Sequence, residues 1–219
     1  LMRMGIPYDD ERTFAICGSL TAILGGACYA TSAEMARVKG PFPRYAQNRD
    51  CKLRVIRNHR RAACTAPADE NQGPTVTPLA IDPAYCPEYL LNSAREAWDE
   101  AVALGERHGY RNAQVTVIAP TGTIGIQMDC DTTGIEPDIA LIKYKKLVGG
   151  GMLKIVNQTV PLALDMLDYT EVERDGILAW LDQQETIEGA PGLKEEHLPI
   201  FDCAFQARNG KRSIAPMGH

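Results

Sequence analysis

Ala113-Gln114-Val115-Thr116-Val117-Ile118-Ala119-Pro120-Thr121-Gly122-Thr123-Ile124-Gly125 decides how this 219-residue chain reads. Residues 113–119 alternate in polarity and are rich in β-branched side chains, which predicts a short, mostly buried strand. The strand stops at Pro120, and the turn after it presents two threonine hydroxyls and several unhindered amides around Gly122. Anion binding needs that combination of N–H donors, small side chains and hydroxyls. A tight turn whose threonines satisfy their own backbone has the same composition. The stretch is neither a P-loop, lacking Gly-Lys-Ser/Thr, nor a dinucleotide fingerprint.

Outward from this turn, a helix precedes the strand. Leu90, Ala94, Ala97, Trp98, Ala101 and Leu104 recur at helical spacing, with Pro87 in the first turn and His108-Gly109 at the end. Helix followed by buried strand is the pattern of an α/β layer or barrel. Helical patterns return at 152–167 and at 171–184, the latter opened by a Thr170/Glu173 capping box. Residues 189–203 read as loop with a short extended piece. Near the start, a long helix is expected from about Asp9 to Lys39, stopped by Gly40-Pro41. Residues 13–33 carry no charge, which raises a membrane-spanning reading. Thr13, Ser19, Thr21, Tyr29, Thr31, Ser32 and three glycines interrupt the apolar run, so a buried, close-packed helix with a break at Gly25-Gly26 is favoured.

Composition bounds the function. Hydrophobic residues make up 45% and charged residues 23%, ordinary for a globular domain, so collagen-like, disordered and disulfide-scaffold classes are excluded. A net charge of −5 speaks against a general nucleic-acid or membrane-surface binder. One basic stretch, residues 48–63, carries Arg49, Lys52, Arg54, Arg57, His59, Arg60 and Arg61 and suits a short helix. It reads as an RNA- or phosphate-binding patch, or as a solvated face or one turned to acidic partners elsewhere in a longer protein. The second is favoured because no aromatic residue is interleaved for stacking. Residues 65–83 are expected to be a long loop. Seven cysteines without a Cys-x-x-Cys pair suggest reduced thiols in a cytoplasmic setting. The absence of an initiator methionine and the abrupt close at His219 suggest a piece of a longer protein.

Pro120-Thr121-Gly122-Thr123-Ile124 is followed, after a short spacer, by Thr133-Gly134-Ile135-Glu136-Pro137. Further signatures come in order: Gly25-Gly26-Ala27-Cys28-Tyr29-Ala30-Thr31-Ser32-Ala33, Tyr144-Lys145-Lys146-Leu147, Gly149-Gly150-Gly151, and Glu196-His197-Leu198-Pro199-Ile200-Phe201-Asp202-Cys203-Ala204. This set resembles the large catalytic component of ribonucleotide reductases, especially the adenosylcobalamin-dependent class II enzymes. The resemblance covers essentially the whole chain, as one fragment (residues 1–219) of the family's catalytic domain. It implies an α/β fold, a helix-rich partial segment of a ten-stranded α/β barrel. It also implies reduction of ribonucleotides to 2′-deoxyribonucleotides by thiyl-radical chemistry, with adenosylcobalamin as radical source. A ribonucleoside di- or triphosphate would be the substrate and a thioredoxin-like protein the reductant. Nucleotide effectors would bind elsewhere, and the family leaves room for a homodimer. A class I enzyme with a separate radical subunit is the nearest related reading.

In that family the turn holds substrate phosphate, a role the resemblance carries to Thr121, Gly122, Thr123 and Ile124, with Gly125 contributing backbone. Many members have serine where this chain has Gly125. No catalytic residue is assigned within the chain. The radical cysteine is expected before Leu1 and the shuttle cysteines after His219, leaving Cys17, Cys28, Cys51, Cys64, Cys86, Cys130 and Cys203 as structural thiols. Asp129, Asp131, Glu136 and Asp138 are expected to cap turns rather than bind a cation, with Glu136 as a buried acid. His59, His108, His197 and His219 show no metal-ligand spacing. Lys143, Lys145 and Lys146 either add positive potential near the turn or form a solvent face. A stand-alone nucleotide-phosphate module and an RNA-contacting protein are the competing functions.

Overall fold

Glycine lets the first helix lie close against its neighbour. In a computed structural model, which describes residues 1–64, 78–132 and 134–218, α1 (Glu11–Lys39) runs unbroken through Gly25 and Gly26. A Cβ on Gly26 would stand 2.8 Å from the Ala97 backbone, and one on Gly25 would stand 3.1 Å from the Trp98 ring. The glycines are therefore sites of close helix approach rather than the break expected from sequence. The chain divides into two compact units, Phe14–Val117 and Leu1–Thr13 with Ile118–His219.

The first unit packs α1 with α2 (Tyr45–Cys64) and α3 (Glu88–His108). Tyr29, Ala30 and Ala33 of α1 meet Leu53 and Ile56 of α2, Ala94, Trp98 and Ala101 of α3, and Tyr110. By length and composition α1 could cross a membrane, yet this face is buried in a protein core. Tyr110 folds back over Gly105, where any Cβ would collide with its ring, and donates its hydroxyl to the Ala101 carbonyl at 2.8 Å. The basic face of α2 finds its acids on α3: Arg57 pairs with Glu106 at 2.6 Å and Arg60 with Asp99. Arg57 and Arg60 thus find acidic partners within this chain, on a solvated face. His59 stacks flat on Trp98, with ring centroids 4.9 Å apart.

The second unit holds α4 (Gly122–Gln127), a hairpin of β1 (Ile142–Lys146) and β2 (Met152–Val156), then α5 (Thr159–Met166) and α6 (Glu171–Gln184). The strands are antiparallel, pairing Ile142 with Val156 and Lys146 with Met152. Residues 152–156 were expected to begin a helix. Short apolar runs fit both periods, and Gly149, Gly150 and Gly151, all at φ between 91° and 100°, reverse the chain directly before them. The capping box of α6 forms as read: the Thr170 N–H donates to the Glu173 carboxylate at 2.9 Å, and the Glu173 N–H returns to the Thr170 hydroxyl. Val160, Ala163, Leu164, Ile177 and Leu181 build the core with Ile200 and Phe201 of a 3₁₀ turn, Glu195–Phe201. That turn stands where loop with an extended piece was expected.

The strand predicted over 113–119 does not form. Its alternation encodes readiness to pair, but a ladder needs a second segment, and the only pairing among the described residues is β1 with β2. Val117 and Ile118 are 78% and 83% exposed rather than buried. The described residues are thus helix-rich with a two-stranded sheet. Of the loop expected over 65–83, residues 65–77 lie outside the described residues and 78–83 carry no helix or strand.

Leu20, Leu24 and Val38 on α1, with Val117, Ile118 and Val148, leave much apolar surface in solvent. The isolated chain is expected to bind an apolar fluorescent dye and to self-associate; a clean monomer that leaves the dye dark contradicts this. A second expectation concerns Lys52, whose ammonium sits 4.2 Å over the Tyr29 ring. Burial lowers its pKa from 10.5 to about 8. Between those values the unfolded chain holds a proton that the folded chain has released, so stability rises with pH across that window. Urea titrations of wild type and Lys52→Met should show wild type gaining on the variant from pH 8 to 10.5. A pH-independent difference refutes it.

Candidate functional site

Pro120 and Thr121 lead into α4, so Gly122–Gly125, read as part of a turn in the sequence, form the first turn of a short helix. The Gly122 N–H returns to the Pro120 carbonyl at 2.9 Å and the Gly125 N–H to the Thr121 carbonyl at 3.1 Å. The first amides of a helix have no acceptor within the helix and need one from outside. Thr121, Gly122, Thr123 and Ile124 face solvent, while Gly125 is buried. Gly122 lies outside the left-handed region, and a Cβ there would meet nothing within 4 Å. A side chain at 122 would therefore meet open space and not the protein.

The second motif runs beside the first. Gly134 passes so close to the end of the 113–119 segment that a Cβ on it would stand 3.2 Å from the Ala119 carbonyl oxygen. The Tyr8 hydroxyl donates to the Ile135 carbonyl at 3.0 Å. Tertiary structure thus brings Ala119–Gly125 and Gly134–Pro137 together; residue 133 lies outside the described residues.

Of the four acids in this region, Asp138 is the buried one, while Glu136, expected to be buried, is exposed. Both Asp138 carboxylate oxygens accept from the Lys143 ammonium, at 2.7 and 3.0 Å. One of them also accepts from the Asn157 amide at 2.7 Å. Lys143 donates further to the Asp131 carbonyl at 2.5 Å. The Asp131 carboxylate accepts the Gln158 N–H at 2.9 Å and the Thr159 hydroxyl at 2.6 Å, capping the entry to α5 as expected. Lys145 and Lys146 are exposed on β1. Asn157 escaped sequence reading: a single asparagine after a strand carries no spacing signal.

The remaining candidates bind their own surroundings. Cys203 is buried, and desolvation, then the Asp138 charge, pushes its thiol up to about 12, the reverse of a reactive thiolate. Buried Cys86 lies 2.8 Å from the Ser19 hydroxyl. Cys51 and Cys130 are exposed. Burial, then the Lys52 charge, lowers the His59 pKa. His197 meets the Tyr169 hydroxyl through Nδ1 at 2.8 Å, and that hydroxyl also accepts the Lys194 N–H. Arg57 and Arg60 are engaged with α3, which weakens the RNA-contact reading.

Residues 1–217 match the family described as ribonucleotide reductase, barrel domain. The chain is 52% identical over all its 219 residues to a vitamin B12-dependent ribonucleotide reductase of Rhodopirellula baltica, covering 20% of that protein. It is 54% identical over 199 residues, 90% of its length, to one of Agrobacterium fabrum, covering 16% of it. It is 45% identical over its whole length to one of Streptantibioticus cattleyicolor, covering 34%. The chain spans about a fifth or less of the first two relatives' length. With a match along nearly its whole length, the chain belongs to the ribonucleotide reductase barrel-domain family.

Proposed function

We propose that this chain is the phosphate-gripping part of a ribonucleotide reductase that converts ribonucleoside di- or triphosphates to 2′-deoxyribonucleotides by thiyl-radical chemistry. The observation that carries the reading is the exposed Thr121–Thr123 turn at the start of α4, in a chain similar throughout to reductases. Its amides and hydroxyls are the donors a phosphate needs, and open space around Gly122 admits an oxygen close to the backbone. Gripping the phosphates places the ribose for chemistry carried by other parts of the whole protein, and positioning of this kind supplies much of a catalysed rate.

Adenosylcobalamin, in keeping with the relatives' names, supplies the radical in the whole protein. The cavity of about 200 Å³ beside β1 is far smaller than a corrin. A thioredoxin-like reductant, nucleotide effectors and a homodimer partner likewise belong to the whole protein. A relative from Mycobacterium tuberculosis, 26% identical, is named a vitamin B12-dependent ribonucleoside-diphosphate reductase.

The purified 219-residue chain, given adenosylcobalamin and a dithiol, is expected to form no deoxynucleotide, because the family resemblance assigns none of its cysteines the radical or shuttle role. Product formation would require one of its own cysteines to carry the chemistry. In the full-length enzyme, Thr123→Val should weaken CDP and CTP binding by about one to two orders of magnitude. A hydrogen bond to a charged group is worth roughly 1.5–3 kcal/mol. Cobalt–carbon cleavage should survive. Unchanged nucleotide affinity with lost cleavage would mean that the turn serves the cofactor or the fold.

A further inference from the structure

We propose that Lys143 and Asp138 are positioning residues for the Thr121–Gly125 turn, holding the chain that leaves α4 so that the turn keeps a single shape. This rests on the phosphate-grip reading of the turn.

The connection can be followed bond by bond. The Cys130 N–H donates to the Gly125 carbonyl at 2.9 Å, and the Met128 N–H reaches the Ile124 and Gly125 carbonyls at 3.0 and 3.1 Å. The end of the turn is thereby tied to residue 130. Asp131 follows and is held at both ends, its carbonyl by Lys143 and its carboxylate by Gln158 and Thr159. Lys143 in turn is fixed by both oxygens of buried Asp138, which Asn157 steadies from the other side. Three residues beyond Asp131, Gly134 packs against the Ala119 carbonyl, just ahead of the turn. One loop therefore brackets the turn before and after, and one ion pair sets that loop.

Lys143 has no donor to spare for a ligand. An ammonium carries three N–H groups, and three oxygens surround this one at 2.5, 2.7 and 3.0 Å. Its charge is matched by Asp138, so it adds little field at the turn. Its contribution is geometric: a buried pair of this kind is a poor source of net stability, but its directional bonds select one arrangement.

The test uses the full-length reductase, with equilibrium binding of CDP and CTP, turnover at saturating substrate, and thermal unfolding. Lys143→Met should raise the nucleotide Kd by about tenfold through misplacement of the turn. Turnover at saturation should fall as well, because a displaced turn no longer sets the ribose for the chemistry. The variant also strands a buried carboxylate and should melt earlier. Lys143→Met combined with Asp138→Asn removes that stranded charge, so it should recover thermal stability while the Kd stays raised, because nothing reaches the Asp131 carbonyl. Thr159→Val, which deletes one tether of Asp131 without touching the ion pair, should raise the Kd by about threefold.

An affinity that returns together with stability in the double variant overturns the proposal. So does an unchanged Kd in both Lys143→Met and Thr159→Val. Thr123→Val separates the two layers. If it weakens binding while the Lys143 and Thr159 variants do not, only the positioning role falls. If it leaves binding unchanged, the phosphate-grip reading falls with it.

Discussion

A carboxylate taken out of water must be met by donors, and the arrangement of residues 118–219 around Asp138 follows from that requirement. Desolvating an unpaired charge costs several kcal/mol by general estimate, so Lys143 and Asn157 cannot be elsewhere while Asp138 is buried. Lys143 lies on β1 and Asn157 directly follows β2, so the ion pair closes the open end of a hairpin whose other end is turned by Gly149–Gly151. The Asn157 N–H adds a bond to the Leu141 carbonyl at 2.8 Å. A two-stranded hairpin has little stability by itself; this one is held at its base. The Asp138 carbonyl also accepts the Ala204 N–H at 2.8 Å, carrying the constraint to the segment after the 3₁₀ turn. There Arg212 grips Asp202 with two bonds, at 2.7 and 2.8 Å.

The helical unit, Phe14–Val117, is organised by backbone proximity instead of charge. Gly26 against Ala97 and Gly105 under Tyr110 are contacts that a single added methyl would break. Close approach lets Tyr29 meet the Trp98 and Tyr110 rings at 5.9 and 5.6 Å. The aromatic cluster then leaves room for Lys52, whose ammonium reaches the Ala113 carbonyl at 2.7 Å and the Tyr29 hydroxyl at 3.1 Å. Ser32 holds the next turn of the same connection, accepting the Asn112 N–H through its hydroxyl and the Arg111 N–H through its carbonyl. The Tyr29–Ser32 part of an early sequence signature thus anchors residues 110–115. The ion pairs on α2 are exposed and contribute at most about 1 kcal/mol each; the rings and glycines carry the packing.

Under the phosphate-grip proposal, the constraints around Asp138 share a purpose. A phosphate grip needs donors that are already in place when the nucleotide arrives, because ordering them afterwards would consume binding energy. The turn itself is small and exposed, so its shape is set by what flanks it, and Asp131 and Gly134 are the flanking contacts the structure supplies. Ile118 and Met128, apolar residues on either side of it in sequence, are open to solvent in this chain.

Local and repetitive features were legible in the sequence. The helices at 11–39, 88–108 and 171–184 and the Thr170 capping box follow from side-chain period and backbone chemistry, which act over a few residues. The ordered motifs carried the family for the same reason, since each is a contiguous string. What sequence could not decide depended on partners distant along the chain. Residues 113–119 have the composition of a strand but pair with no segment among the described residues, and 152–156 became a strand because 142–146 lay opposite. Which acid was buried, Asp138 rather than Glu136, turned on Lys143 and Asn157 converging from two strands. The partners of Lys143 turned on where the Asp131 carbonyl fell. Periodicity encodes which face a residue turns, whereas burial and charge pairing are fixed only when the chain folds back and brings specific donors within 3 Å of specific acceptors.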